Sequence, residues 1–261
     1  MLSFLAVALG SYALVCLAAY LLQERLVFFP NPASPALPGT GDVEAVTLQA
    51  SDGVALQAWL FDGPGERGLV FCHGNGGHRG GRIDAARVLR DMGFDVLLLD
   101  YRGYGGSKGR PTEEGTYRDA VAAYDHLRER GCTSIAAYGE SLGVAVSIEL
   151  ARRREVTALV LESGFTSIPE MGRLAYPWLP SGRLARVQYD NRAKIGALEA
   201  RLLLLHSPED EIVPFAQAEA LLAAAPPGTE LVPTSGGHND GGYLREARWV
   251  QAVASFLNED R

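Results

Sequence analysis

SIAAYGESLGVAVSIELARR, residues 134–153, reads as a strand, a tight turn and a helix in direct succession. SIAAY (134–138) is a short apolar run of the kind that forms a buried strand, and VAVSIELARR (144–153) is helical in character. Between them Gly139-Glu140-Ser141-Leu142-Gly143 matches G-x-S-x-G. The pentapeptide alone is weak evidence. Its position after a strand and before a helix sets the serine on a strained turn with its hydroxyl exposed at the carboxyl edge of a sheet. The two glycines permit that turn, because a Cβ at either position would meet neighbouring backbone. Ser141 also stands at a helix N-terminus, where the helix dipole and free N–H groups favour developing negative charge. A plain N-cap serine in a strand–helix loop is the competing reading.

Further apolar runs lie on both sides of this stretch. GLVFC (68–72), DVLLLD (95–100), TALVLE (157–162) and RLLLLH (201–206) read as buried parallel strands, with ELVPT (230–234) a weaker one. Near-continuous apolar strands require both sheet faces to be covered by helices. Val43–Gln49 and Val54–Phe61 read as a hairpin turning at Ser51-Asp52-Gly53. Tyr117, Val121, Tyr124 and Leu127 line one face of a helix over 113–130, so those tyrosines belong to the core. The pattern is α/β, one domain with a mostly parallel sheet.

A serine hydroxyl is a poor nucleophile at neutral pH and needs an imidazole to take its proton, which in turn needs a carboxylate to fix its tautomer. In a strand–nucleophile–helix fold these follow in the order serine, acid, histidine, each on a loop after a strand. RLLLLH is followed by Glu209, Asp210 and Glu211, any of which can supply the acid. ELVPT is followed by Ser235-Gly236-Gly237-His238. Of the five histidines, His126 and His78 read as surface groups, His206 ends a strand and comes too early, and His73 belongs to a glycine loop. His238 has the right order and the right loop. Phe71-Cys72-His73-Gly74-Asn75-Gly76-Gly77 follows the first long parallel strand, and its glycines let backbone N–H groups approach a ligand. The expected oxyanion donors are the N–H groups of Leu142 and Asn75. A phosphate cradle would want G-x-x-x-x-G-K-[ST], which is absent, and the glycines of 103–109 read as a turn shaping the sheet edge.

Composition narrows the class. The chain has 261 residues and a net charge of −7, which removes the electrostatic case for nucleic-acid binding. Cys16, Cys72 and Cys132 form neither a closed disulfide framework nor a zinc-ligand spacing. Leu2 to Leu22 is uncharged and, at about 1.5 Å per residue, long enough to cross a bilayer core. A cleaved signal peptide is the rival, but no basic segment precedes the stretch and Leu-Leu-Gln-Glu-Arg closes it. An uncleaved single-pass anchor over residues 1–25 is expected, with its orientation unspecified because Arg25 is the only basic side chain near it. Pro30, Pro32, Pro35 and Pro38 make residues 26–41 read as a stiff extended spacer, and 42–261 as the catalytic domain. On this reading a chain shortened to begin near Pro38 keeps its chemistry. Phe28 and Phe29 suit either a membrane interface or an edge of the domain.

Together HGNGG (73–77), DYRGYGGSKGRPTEEG (100–115), GESLG (139–143), ESGFTS (162–167), HSPEDEIVP (206–214) and GGHND (236–240) resemble the α/β-hydrolase superfamily. The likeness is to its N-terminally anchored serine hydrolases, the branch that includes abhydrolase-type protein depalmitoylases, and it spans nearly all of residues 43–261. It implies the α/β-hydrolase fold with a short cap, and a Ser141–Asp210–His238 triad in which H-G-x-x-D-x-x-V-P selects Asp210. Asn75 and Leu142 are the implied oxyanion donors. Ser207 stands where the family usually has glycine. The cap interval is short, roughly Ile168 to Ala197, with Tyr176-Pro177-Trp178 at its centre and a basic group in Arg183, Arg186, Arg192 and Lys194. The reaction implied is acyl transfer from an ester or thioester to water, on a substrate that can be membrane-associated, with no metal or organic cofactor. A serine peptidase of the same fold and a non-catalytic membrane-tethered binding module are the alternatives.

Overall fold

The structure, a computed structural model, describes residues 2–39, 41–240 and 246–259. The chain begins with α1 (Leu2–Val27), a two-residue strand β1 (Phe29–Pro30), and hairpin strands β2 (Val43–Gln49) and β3 (Ala55–Phe61). Next come β4 (Arg67–Cys72), a two-residue β5 (Gly76–Gly77), α2 (Ile83–Asp91), β6 (Asp95–Asp100) and α3 (Glu113–Glu129). β7 (Ser134–Glu140) and α4 (Leu142–Arg153) hold the opening sequence stretch, followed by β8 (Ala158–Glu162). A short cap carries α5 (Ile168–Ala175), α6 (Ser181–Leu184) and α7 (Asn191–Ile195). The chain closes with β9 (Arg201–His206), α8 (Ala216–Ala224), β10 (Glu230–Pro233) and α9 (Ala247–Asn258).

The main sheet has the order β10-β9-β8-β7-β4-β6-β3-β2. β3 is antiparallel to β2 and to β6, and every other pair is parallel. This is the α/β-hydrolase fold. The chain leaves β4 outward to β6 and then returns past β4 to β7. The order therefore reverses between β4 and β7, and the loops after those two strands diverge to leave a crevice at the carboxyl edge.

Strand periodicity sorts the apolar side chains into two cores. Leu97 and Leu99 of β6 join the core beneath α3, α4 and α8, while Val96 and Leu98 join the one beneath α2 and α9. Each strand is thus apolar on both faces. α3 begins where the Thr112 hydroxyl accepts the Gly115 N–H at 3.0 Å and buries Tyr117, Tyr124 and Leu127. Cys72 and Cys132 are packed as small apolar groups.

The N-terminal region differs from the expectation. Ser3–Val27 is long and apolar enough to cross a membrane, and Leu14, Leu17 and Leu21 stand exposed along it. Residues 26–41, however, do not stand off as a free spacer. β1 pairs in parallel with β5, the Phe29 N–H donating to Asn75 O at 3.0 Å and the Asn31 N–H to Gly77 O at 3.2 Å. Only alternate residues of such a strand face its partner, so the missing N–H of Pro30 falls on the outer side and costs nothing. Phe28 is buried with its ring edge-on to Tyr189, 6.2 Å between centroids, while Phe29 is exposed. Proline content alone pointed to an extended segment. What it concealed was that the segment lies against the loop after β4, and a chain beginning at Pro38 would strip that contact away.

Candidate active site

Ser141 has φ 53° and ψ −110°, a conformation costing about 1–3 kcal/mol in a non-glycine residue. The surroundings hold it there. The Ser141 N–H donates to Glu162 O at 2.8 Å, and its side chain makes no capping bond to α4, so the hydroxyl is not an N-cap. The two flanking glycines show why the motif needs them. A Cβ on Gly139 would lie 2.6 Å from Gly143 O, and one on Gly143 would lie 1.9 Å from Cys72 O. Gly143→Ala should therefore lower unfolding stability by about 3 kcal/mol, since its new Cβ would meet the backbone carbonyls of Cys72 and His73. Urea unfolding measures this, and a loss under about 0.5 kcal/mol would show that α4 can shift away freely.

The structure brings the three sequence-selected side chains together. His238 Nε2 lies 3.1 Å from Ser141 Oγ, and His238 Nδ1 lies 2.7 Å from Asp210 Oδ2. The other Asp210 oxygen accepts the N–H groups of Val213 at 2.7 Å and Ile212 at 3.0 Å. Burial raises the Asp210 carboxyl, but the bonds to His238 and to these amides outweigh it and hold the group below the ordinary carboxylate range. It is an anion throughout the neutral region.

Its neighbours face elsewhere. Glu209 accepts the Gly236 N–H at 3.1 Å, and Glu211 accepts the His238 N–H at 3.0 Å. Both flanking carboxylates hold the backbone of the histidine loop and leave the ring to Asp210. Ser207 lies outside the left-handed region, and its hydroxyl accepts the Glu209 N–H at 3.0 Å, so serine serves the turn.

Of the remaining histidines, His206 is the one sequence order set aside that nonetheless touches the site. It is buried, its Nε2 donates to Val213 O at 2.7 Å, and that nitrogen stands 3.4 Å from Asp210 Oδ2. Burial lowers its pKa, keeping the ring neutral beside the acid. Its place at the end of β9 was the only sequence signal for this bracing. His73 is fully buried against Tyr101 and Tyr104, with Nδ1 2.7 Å from Gly74 O. It braces the glycine loop with Asp100, which also accepts the Arg79 N–H at 2.6 Å. His78 and His126 are half-buried, less exposed than surface groups.

Asn75 sits in the crevice opposite Ser141. Its carbonyl accepts from Phe29 N–H and from Tyr104 hydroxyl at 2.9 Å, and its side-chain amide donates to Val27 O at 3.0 Å. Its backbone N–H has no acceptor among the described residues. Leu142 is the first residue of α4, so its N–H lacks an intrahelical acceptor. Beside the serine, Arg82 clasps Glu140 through two bonds of 2.6 and 3.0 Å. Burial raises the Glu140 carboxyl, yet Arg82 outweighs it and holds the group low.

Two cavities meet at Ser141 and His238. One, about 410 Å³, is lined by polar groups including Arg82, Glu140 and Asp84. The other, about 480 Å³, is bounded by apolar residues of the cap, among them Ile168, Met171, Ala175 and Leu179, and by α1. Tyr176 and Trp178 pack edge-on at 6.3 Å between centroids and remain half exposed, Tyr176 at the rim of this second cavity. Of the basic residues in the cap interval, Lys194 is bound to Glu149 at 2.8 Å and Arg186 lies over the Tyr20 ring.

Comparison with known proteins places the chain in a family. A family model described as serine aminopeptidase, S33, matches residues 64–188. An uncharacterized Mycobacterium tuberculosis protein is 40% identical over 249 residues, covering 91% of this chain and 88% of that one. The alpha/beta hydrolase domain-containing protein WAV2 of Arabidopsis thaliana is 32% identical, covering 92% and 90%. The lysophosphatidylserine lipase ABHD12 of Gallus gallus is 34% identical over 61% of this chain, which spans only 48% of that protein. Among solved structures, the Pyrococcus furiosus esterase Pf2001 superposes with a TM-score of 0.74 at 20% identity, covering 88% of this chain and 96% of that one, which speaks for the fold alone.

Proposed function

The chain belongs to the α/β-hydrolase family, and within that family we propose that it cleaves carboxylic esters or thioesters through a Ser141–His238–Asp210 triad. The observation that carries this reading is the relay of 3.1 and 2.7 Å that leads from the Ser141 hydroxyl through His238 to a buried anion. Ser141 Oγ bonds to the carbonyl carbon while His238 Nε2 takes its proton, and the Asp210 carboxylate stabilises the resulting imidazolium. The tetrahedral oxyanion accepts hydrogen bonds from the Leu142 and Asn75 amides. As the intermediate collapses, His238 gives the proton to the departing alkoxide or thiolate. Water then attacks the acyl-enzyme, losing a proton to His238, and the acid leaves with Ser141 restored.

The relative described as a lysophosphatidylserine lipase directs attention to lipid esters, and the pairing of an apolar with a polar cavity at one serine suits an amphiphilic substrate. The apolar span Ser3–Val27 serves on this reading as an anchor that keeps the site at a membrane. A peptidase reading stays in view because the matching family model is described as an aminopeptidase. Kinetics on p-nitrophenyl esters and on aminoacyl p-nitroanilides separate the two. The ester reading predicts kcat/KM at least about a hundredfold higher on the esters; comparable or higher values on the anilides would establish the peptidase.

A further inference from the structure

The apolar cavity beside Ser141 has an unexpected wall. Ala19, Gln23, Leu26 and Val27 of α1 line it, facing Met171, Ala175 and Leu179 of the cap. Those four positions recur at i, i+4, i+7 and i+8, one face of a helix. The opposite face, which carries Leu14 and Leu21, is exposed, while on the cavity side Gln23 and Val27 are buried, Ala19 is half-buried and Leu26 stands at the open rim. One helix therefore presents apolar surface outward and closes an apolar cavity inward.

The contact is specified by polar atoms. Gln23 stands at the polar end of the apolar span and is buried; its side-chain oxygen accepts the N–H groups of Arg186 at 2.5 Å and Val187 at 2.9 Å, and its amide nitrogen donates to Leu184 O at 3.4 Å. Buried hydrogen bonds of this kind fix one rotation of a helix, which apolar packing alone would leave loosely set. The Tyr12 hydroxyl adds a bond to Trp178 O at 2.9 Å. Below Gln23, the Val27 carbonyl holds the Asn75 side chain, so the same helix end also steadies the loop that bears the proposed oxyanion donor.

We propose that the last turns of α1 form the acyl-chain wall of the active site, so that the helix read as the membrane anchor also sets which ester chain lengths are hydrolysed. The proposal rests on the ester-hydrolase reading above. The acyl chain lies between α1 and the cap with its carbonyl carbon at Ser141, and the polar leaving group occupies the second cavity. Ala19 is the small residue of the wall, and Leu26 its bulky one.

The test uses the full chain reconstituted in phosphatidylcholine vesicles and the p-nitrophenyl esters of acetic, octanoic and palmitic acids. Ala19→Phe takes up room for several methylenes, each contributing about fourfold to binding, and should lower the octanoate-to-acetate ratio of kcat/KM about tenfold or more. Leu26→Ala opens the same wall and should shift preference from octanoate toward palmitate. Leu21→Phe, on the outer face, should leave every ratio where it was. Unchanged ratios in both Ala19→Phe and Leu26→Ala, with ester hydrolysis intact, would overturn the wall while leaving the hydrolase reading standing. An equal shift in Leu21→Phe would overturn it too, by tracing the effect to membrane insertion. A parent protein inactive on all three esters would instead bring down the hydrolase reading and the wall with it.

Discussion

Ser141→Ala should leave a folded protein whose ester hydrolysis is roughly a thousandth of the parent rate or less. The substitution removes one oxygen atom and nothing that the fold uses. The Ser141 side chain makes no capping bond to α4, and alanine meets the same strained backbone that serine already accepts. Its stability should stay within about 0.5 kcal/mol of the parent. The lost rate is then chemical, because His238 Nε2, 3.1 Å away, no longer has a hydroxyl to deprotonate. The residual rate would come from the oxyanion amides and the cavities, which can still orient an ester toward water. Steady-state hydrolysis of p-nitrophenyl octanoate beside circular dichroism and urea unfolding measures both halves. Activity near the parent rate in a folded variant would place the nucleophile elsewhere.

Asp210→Asn should cost about ten-thousandfold in kcat, while Glu209→Gln and Glu211→Gln each stay within about tenfold of the parent. The three carboxylates are consecutive in sequence yet differ in what they touch. Asp210 is the one bonded to His238 Nδ1, at 2.7 Å, and its conversion to an amide takes away the anion that fixes the ring and balances its charge. Glu209 and Glu211 accept backbone N–H groups of the histidine loop, and glutamine keeps a carbonyl oxygen for that task. The expected pattern is therefore one large loss flanked by two small ones. Equal losses at all three positions would mean that the acidic cluster acts through its summed field, and the assignment of Asp210 would fall.

The strands were legible because apolar side chains on both faces leave an unmistakable record: RLLLLH became β9 and DVLLLD became β6 without a shifted residue. The loop positions of Ser141, Asn75 and His238 were legible because strand ends are where an α/β sheet places its chemistry. Asp210 was not separable from Glu209 and Glu211 by residue type alone, since the distinction depends on where each side chain points after the turn. The family likeness selected it, and the two amides on its second oxygen supply the physical reason. Segment 26–41 misled for a related cause. Four prolines declare an extended backbone, but a two-residue pairing such as β1 with β5 has no periodicity to detect. Gln23 likewise looked like the polar end of an apolar span. Its bonds to Arg186 and Val187 join residues more than 160 positions apart, and no local pattern encodes that.

The central claim is that Ser141 is an activated nucleophile, and covalent labelling tests it most directly. The full-length protein is treated with a fluorophosphonate at neutral pH and digested, and the modified peptide is sequenced by mass spectrometry. The account predicts a single adduct on Ser141, formed rapidly in the parent and at least about a thousandfold more slowly in His238→Ala, where the base is gone. A parent protein that stays unmodified, or an adduct on another serine, would contradict it.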